Sequence, residues 1–458
     1  MNTAPDGRET APEDTIAAAA TAPGEGGIGI IRVSGPEAAR ILDAVFRRAG
    51  RENGAPWESH RMYYGFLTAG EEILDEGMAV LMRAPRSYTR EDVAELHLHG
   101  GTWLLRRALT LCLENGARLA EPGEFTRRAF LAGRIDLARA EAVMALISAR
   151  GEQQHRAAVR QLRGGVTSFV RQAADDLYAV QAGLAACVDY PEEISDEEGA
   201  ADMIPRLEAL ISRLREAVQE KSARLLQDGL RVALAGRPNV GKSSLLNALL
   251  GEERAIVTPV PGTTRDLVSG EIMLSGIRVT LTDTAGLRET EEPVERIGVE
   301  RSRRAMAEAD VTLLVLDGSQ PLTPEDRALL AELPGNAAVV VNKTDLPRRL
   351  ELPPETAENR TVIACSAKDP ATLGPVKEYL KSFTALSDRM EVTQPRHLDA
   401  LRRAVSFLES ALETAKTLPP DLAATDLQAA QAALSEITGD QADEKLLDAV
   451  FSQFCVGK

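Results

Sequence analysis

The residues with the most evident chemistry stand at 236–243, Gly-Arg-Pro-Asn-Val-Gly-Lys-Ser. Their spacing fits G-x-x-x-x-G-K-S, a phosphate-binding loop. Gly236 and Gly241 let the backbone approach a ligand closely. Asn239, Val240, Gly241 and Ser244 offer N–H groups at the start of a helix. Lys242 supplies charge for β- and γ-phosphates, and Ser243 a hydroxyl for Mg2+. Four groups follow in order. Thr264, in Thr263-Thr-Arg-Asp266, offers a second Mg2+ hydroxyl and a backbone contact to the γ-phosphate. In Asp283-Thr284-Ala285-Gly286 the carboxylate would hold the metal's water shell and the Gly286 N–H would reach the γ-phosphate. Asp345, in Asn342-Lys343-Thr-Asp345, can accept from N1–H and the 2-amino group of guanine. Adenine lacks both donors and would leave the carboxylate unpaired. Ser366-Ala367-Lys368 suits an N–H bond to guanine O6. Five such groups in one order predict a GTP-binding domain.

Two residues depart from the simplest version of that site. Leu287, directly after the Asp-x-x-Gly group, replaces the glutamine that orients the attacking water in Ras-type GTPases. Asn239 places an amide oxygen inside the phosphate loop, where it could hold a monovalent cation in the role of an arginine finger.

Strands must present these groups at their ends, and the pattern supplies them. Apolar runs at 230–235, 270–275, 277–283, 311–317, 337–342 and 361–365 alternate with helical stretches, which predicts a doubly wound α/β domain over 228–380. Ahead of it, 1–125 is expected to be α+β. Strand-like runs lie at 14–20, 29–33, 61–67, 77–83 and 93–99, with helical patterns at 36–48 and 102–114. Gly24 to Gly29 matches G-x-G-x-x-G formally, but a β-like run follows it where a dinucleotide site needs a helix. Residues 126–227 are read as helical over 130–147, 159–188 and 203–226, and 381–458 as helical over 395–416 and 421–451. The expected architecture is multidomain: an α+β N-terminal domain, an α-helical domain in two parts (126–227 and 381–458), and an α/β Ras-like P-loop GTPase domain inserted between them.

Composition narrows the rest. The chain has 458 residues, a formal net charge of −16 and 44% hydrophobic residues, enough for real cores but with no basic footprint for bulk nucleic-acid binding. Four scattered cysteines, Cys112, Cys187, Cys365 and Cys455, argue for a reducing compartment and against a disulfide framework. His97 and His99 share a strand face without the further ligands that a metal site needs. No apolar run approaches the roughly 20 residues of a membrane span, and the acidic N-terminus is unlike a signal or transit peptide. A cytoplasmic protein without a membrane partner is expected. A ribosome-assembly GTPase would normally add a basic RNA-binding module or a second set of G motifs, and a membrane-remodelling GTPase a basic amphipathic helix; neither is visible.

GRPNVGKSS at 236–244, Ile256 to Asp266, DTAGLRE at 283–289 and Val294-Glu-Arg-Ile-Gly-Val-Glu300 resemble the MnmE (TrmE) family of tRNA-modification GTPases. So do DTIAAAATAPGEGGIGIIRVSG at 14–35, EFTRRAFLAGRIDLARAEAV at 124–143, LSEITG at 434–439 and the terminal FCVGK. The resemblance implies a potassium-activated GTPase that forms a homodimer. It implies K+ ligands at Asn239, Thr258, Val260 and Thr263, and a water-orienting catalytic glutamate at Glu295 beside the catalytic Lys242. Thr258, Pro259, Val260, Pro261, Gly262 and Thr263 join the GTP-binding residues. It implies a 5-formyl- or 5,10-methylene-tetrahydrofolate site at Arg32, Glu95, Arg134 and Lys458, with arginine at 134 where the family has lysine. It also implies an FAD-containing MnmG-type partner, tRNA as substrate, and a role for Cys455 in the modification of the wobble uridine.

Overall fold

The computed structural model describes residues 14–50, 55–190, 192, 195–252, 268–283, 306–386 and 392–458. The chain divides into two compact units, each discontinuous in sequence. One is Met1–Met144, Gln161–Ile211 and Arg403–Lys458; the other is Ala145–Arg160 and Ser212–Arg402.

The first unit holds β1 (Ile16–Ala19), β2 (Gly26–Ser34), β3 (Phe46–Arg48), β4 (Met62–Ala69), β5 (Glu72–Met82), β6 (Val93–Gly100) and β7 (Arg118–Leu119). They form one sheet in the order β3-β4-β5-β6-β2-β1-β7, antiparallel except for β1 with β7. Helices α1 (Ala38–Val45) and α2 (Thr102–Glu114) bring Ile41, Leu42, Ala108 and Leu111 into one core with Ile31, Val33, Leu67 and Leu96 of the sheet. The helix expected over 36–48 ends early. Phe46 to Arg48 turn extended and pair with Gly65 to Leu67, so strand pairing overrides the helical pattern there. The Gly24–Gly29 run opens β2, with a register shift between Gly26 and Gly29, as the rejection of a dinucleotide loop required.

The long helical patterns also break where glycine intervenes. Residues 130–147 become α3 (Glu124–Leu131) and α4 (Leu137–Ser148), with Gly133 at φ +67 between them. Residues 159–188 become α5 (Glu152–Leu162) and α6 (Gly165–Asp189), with Gly164 at φ +92. Left-handed backbone is cheap only for glycine, and it ends a helix. The stretch 203–226 also divides, into α7 (Asp196–Ala217) and α8 (Glu220–Asp228), but at Val218 and Gln219, without a glycine.

The second unit is built on β8 (Leu230–Ala235), α9 (Lys242–Glu252), β9 (Val268–Leu274), β10 (Ile277–Asp283), β11 (Val311–Asp317), α10 (Pro324–Ala331), β12 (Ala337–Asn342), α11 (Pro354–Asn359), β13 (Thr361–Ala364) and α12 (Gly374–Lys381). The sheet order is β13-β12-β11-β8-β10-β9, all parallel but β9. Every residue of β11 and β12 is buried, which is why they read as unbroken apolar runs: a parallel sheet is covered on both faces. The chain order reverses at β8, and that switch point puts a crevice at the strands' carboxyl ends.

Beyond this sheet come α13 (Pro395–Thr417), α14 (Ala424–Thr438) and α15 (Glu444–Phe451), so the expected helix over 421–451 is interrupted at Gly439, φ +83. α14 packs against α6, whose buried residues Val166, Val170, Ala173, Leu177, Val180 and Leu184 recur at helical spacing.

Candidate functional site

In the second unit four strand ends converge. The loop after β8 takes positive φ at Gly236 (+138), Asn239 (+64) and Gly241 (+97). A Cβ at Gly236 would collide with the Val315 carbonyl, and one at Gly241 with the Asn342 amide. Both glycines are therefore required by close approach. Lys242 is only 4% exposed, and its Nζ donates to the carbonyls of Gly236 (2.8 Å) and Arg237 (2.9 Å). Burial pushes its ammonium below the usual range, against the pull of the Asp283 charge. Ser243 Oγ donates to Asp283 Oδ2 at 2.6 Å. A hydroxyl and a carboxylate at that separation form an oxygen set that suits Mg2+, which takes one or two protein oxygens and keeps water.

The loops after β12 and β13 lock onto the phosphate loop. Asn342 Nδ2 donates to the Val240 carbonyl (2.9 Å), and Asn342 Oδ1 accepts from the Ala367 N–H (2.9 Å). Lys343 Nζ donates to the Asn239 carbonyl (2.9 Å) and to Asp317 Oδ2 (2.7 Å). Asp345 Oδ1 accepts from Ser366 Oγ at 2.7 Å, and Lys368 Nζ lies 3.7 Å from Asp345 Oδ2. The Ser366 hydroxyl, and then the Lys368 charge, hold the Asp345 carboxyl ionised below the usual range. The Asn239 side-chain amide is exposed and bonds to no described residue.

Thus Asn239, Val240, Gly241, Lys242, Ser243, Ser244, Asp283, Asn342, Lys343, Asp345, Ser366, Ala367 and Lys368 gather at one end of the sheet. Thr258, Pro259, Val260, Pro261, Gly262, Thr263, Thr264, Thr284, Ala285, Gly286, Leu287 and Glu295 lie outside the described residues. The sequence reading missed Asp317. Burial opposes its ionisation, but Lys343 and Ser319 hold it low, and it anchors the lysine that braces the phosphate loop. Its signal was an acid followed by Gly-Ser at the end of an apolar strand.

In the first unit a second group forms around Tyr88. Arg32 and Glu95 face each other across β2 and β6, and Arg32 Nε donates to Glu95 Oε1 at 2.8 Å. The Arg32 guanidinium lies 5.6 Å from the Tyr88 ring centre, and that of Arg134 lies 4.8 Å from it. Arg134 Nη1 also donates to the Tyr88 carbonyl at 3.1 Å. The His97 hydrogen bond and Arg32 hold the Glu95 carboxyl low, against burial. The chain's last residues return here: Val456 bridges Pro122, and the Gly457 carbonyl accepts from Arg32 Nη1 at 3.5 Å. Gly457, at φ +96, presses on the Ala19 carbonyl where a Cβ would not fit. Lys458 is thereby carried to Arg32's side, and Cys455 is the exposed cysteine of the four. Tyr88 and His97 were not named among the site residues; only the fold places them there.

The switch-point sheet, the glycine-bound phosphate loop and the Asp345–Ser366 bracket define a P-loop GTP-binding protein of the Ras-like kind. Residues 137–455 match the family description "MnmE helical domain", and 15–134 match "GTP-binding protein TrmE N-terminus". The chain belongs to the MnmE family. It is 46% identical to the tRNA modification GTPase MnmE of Heliobacterium modesticaldum, over 97% of this chain and 99% of that protein. It is 45% identical to that of Symbiobacterium thermophilum (97% and 100% covered) and 46% to that of Chloroflexus aurantiacus (97% and 100%). Era of Aquifex aeolicus bound to GDP and AlF4− overlaps 39% of this chain and 66% of its own, at 26% identity and a TM-score of 0.27, which adds nothing to the full-length relation. None of the described helices is long and apolar enough to cross a membrane.

Proposed function

We propose that this chain is a GTP hydrolase that modifies tRNA, activated by K+ and working with a tetrahydrofolate one-carbon unit and an FAD-bearing partner at C5 of the wobble uridine. The single observation that carries the nucleotide reading is the bracket of Asn342, Asp345 and Ser366. Asn342 ties the guanine loop to the phosphate loop, and Ser366 fixes an ionised Asp345 where N1–H and the 2-amino group of guanine would meet it. The tRNA reading rests on the family.

Lys242 would leave the carbonyls of Gly236 and Arg237 for the β/γ-phosphates. Its lowered affinity for a proton means that it gains most from an anion. Mg2+ would take the Ser243 hydroxyl and Thr264, with Asp283 ordering its water. K+ would take Asn239 with oxygens of Thr258, Val260 and Thr263, placing positive charge beside the leaving phosphate. Glu295 would orient the attacking water in place of Leu287. Two G domains of a homodimer would close on GTP and reopen after hydrolysis.

The Tyr88 group fits a reduced folate. Glu95 still has acceptor capacity beside its bonds to Arg32 and His97, and a carboxylate is the natural partner of the 2-amino-pyrimidinone edge of a pteridine. Arg134, Arg32 and Lys458 add positive charge for its carboxylates. Folate when bound supplies the carbon; these side chains orient it, and Cys455 stands exposed nearby in sequence. Cytoplasmic placement accords with the free cysteines. Nucleoside analysis of tRNA from cells lacking the chain tests the reading: the C5 substituent of the wobble uridine should disappear, and an unchanged substituent would refute it.

A further inference from the structure

An open cavity of about 530 Å3 lies beside Tyr88 in the first unit, lined by His60, Arg86, Arg90 and Arg134 with Met82 and Ser87. Its charge is out of balance. The loop that carries Arg86 and Arg90 also carries two acids, but both are spent elsewhere. Glu91 pairs with Arg128 at 3.1 Å and accepts from Ser34, and Asp92 pairs with Arg83. Arg90 Nη1 reaches only the Ala132 carbonyl (2.9 Å), Arg134 Nη1 only the Tyr88 carbonyl (3.1 Å), and the Arg86 side chain bonds to no described residue. Three guanidiniums thus share one concavity without a carboxylate from the described residues, in a chain whose net charge is −16. Arg90 does so at φ +65 and His60 at φ +64, backbone that non-glycine residues adopt at a cost.

The cavity adjoins the Arg32–Glu95 pair through a shared wall. The Tyr88 ring has the Arg32 guanidinium 5.6 Å from its centre and that of Arg134 at 4.8 Å, and Arg134 also lines the cavity. A ligand whose aromatic head met Glu95 could run past Arg134 and place a chain of carboxylates among the arginines. We propose that this cavity is a subsite for an oligo-γ-glutamate tail, so that the protein selects polyglutamylated over monoglutamylated folate. The inference rests on the folate reading above. RNA backbone is the other polyanion that arginines take, but a small concavity holding three arginines suits a short flexible tail. An RNA backbone would call for an extended basic stripe.

The experiment is calorimetric titration of the full chain with 5-formyltetrahydrofolate as the monoglutamate and as the triglutamate. The triglutamate should bind about tenfold tighter, equivalent to about 1.4 kcal/mol, and the advantage should shrink as salt rises. Arg86→Ala, which breaks no bond within the described residues, should cut most of the advantage, and Arg86→Ala with Arg90→Ala should remove it. Equal affinity of the two forms overturns the tail subsite and leaves the folate reading standing. Failure of both forms to bind overturns the folate reading and the subsite with it. If the variants leave the glutamate preference intact but weaken binding of an anticodon stem-loop RNA, the cavity is an RNA contact and the proposal is wrong.

Discussion

Asn342→Ala is the substitution on which the reading of the nucleotide site turns. Asn342 is 1% exposed, and its amide makes two bonds that join the ends of three strands. Nδ2 donates to the Val240 carbonyl in a fully buried bond, and Oδ1 accepts from the partly buried Ala367 N–H, both at 2.9 Å. Alanine removes both partners and offers nothing in return. A buried polar group left unpaired costs about 1–3 kcal/mol. The Val240 carbonyl, sealed from water, belongs near the top of that range, and the Ala367 N–H near the bottom. Together they amount to about 2–4 kcal/mol taken from the folded second unit. GTP binding must then restore the register of the two loops from its own affinity, so Kd should rise by about thirtyfold to about a thousandfold. Fluorescent-nucleotide titration measures the second effect. Urea unfolding followed by nucleotide release measures the first, and avoids treating a chain of two units as a two-state system. A variant that bound GTP within threefold of the parent and released it at the same urea concentration would refute the reasoning. Asn342 would then not bridge the loops in solution.

Three other outcomes are expected. GTP turnover should be much faster in K+ than in Na+, and Asn239→Ala should erase the difference while leaving Na+ turnover intact; equal rates in the parent would remove the cation role. Glu295→Ala should lower turnover by 100-fold or more, on the order of what a general base contributes, with GTP affinity within a few-fold of the parent; normal single-turnover rates would assign the water to another group. The first unit should lose stability in acid. Burial opposes ionisation of Glu124, but Arg118, the Glu121 N–H and Arg128 outweigh it and hold the carboxyl below its ordinary 4.5. A depressed folded-state pKa gives stability that is present above the unfolded value and lost as pH falls through the folded one. Melting temperature should therefore drop as pH falls below about 4.5, and less steeply in Glu124→Gln; identical slopes would show that this carboxyl contributes nothing.

The nucleotide site was legible because its chemistry is local. The groups proposed for phosphate, Mg2+ and guanine are each a tetrapeptide or octapeptide at a strand end, and the strands are either buried throughout, as β11 and β12 are, or alternate regularly, as β10 does. The runs 230–235, 277–283, 311–317 and 337–342 therefore announced themselves with the bounds the structure gives them. Helix breaks were harder. Patterns at 130–147 and 421–451 kept their apolar period across Gly133 and Gly439, and only the left-handed backbone at those glycines shows where the helices stop. The strand at 46–48 was hidden for a different reason: an edge strand draws its stability from its neighbour, here Gly65 to Leu67, and a local pattern carries no record of that.

By itself, then, the sequence determined that this chain binds GTP and that an α/β stretch sits between helical segments, and it supplied the side chains proposed to meet each part of the nucleotide. Local spacing suffices for those conclusions, because consecutive residues on one turn face one ligand. Only the tertiary structure decided that Lys343 braces the phosphate loop through Asn239 and Asp317. It alone brought Gly457, 425 residues away in sequence, to Arg32. It alone spent Glu91 and Asp92 on other arginines and left Arg86, Arg90 and Arg134 around one cavity. Those facts depend on which groups the fold brings within hydrogen-bond reach, a relation between distant residues that no spacing along the chain encodes.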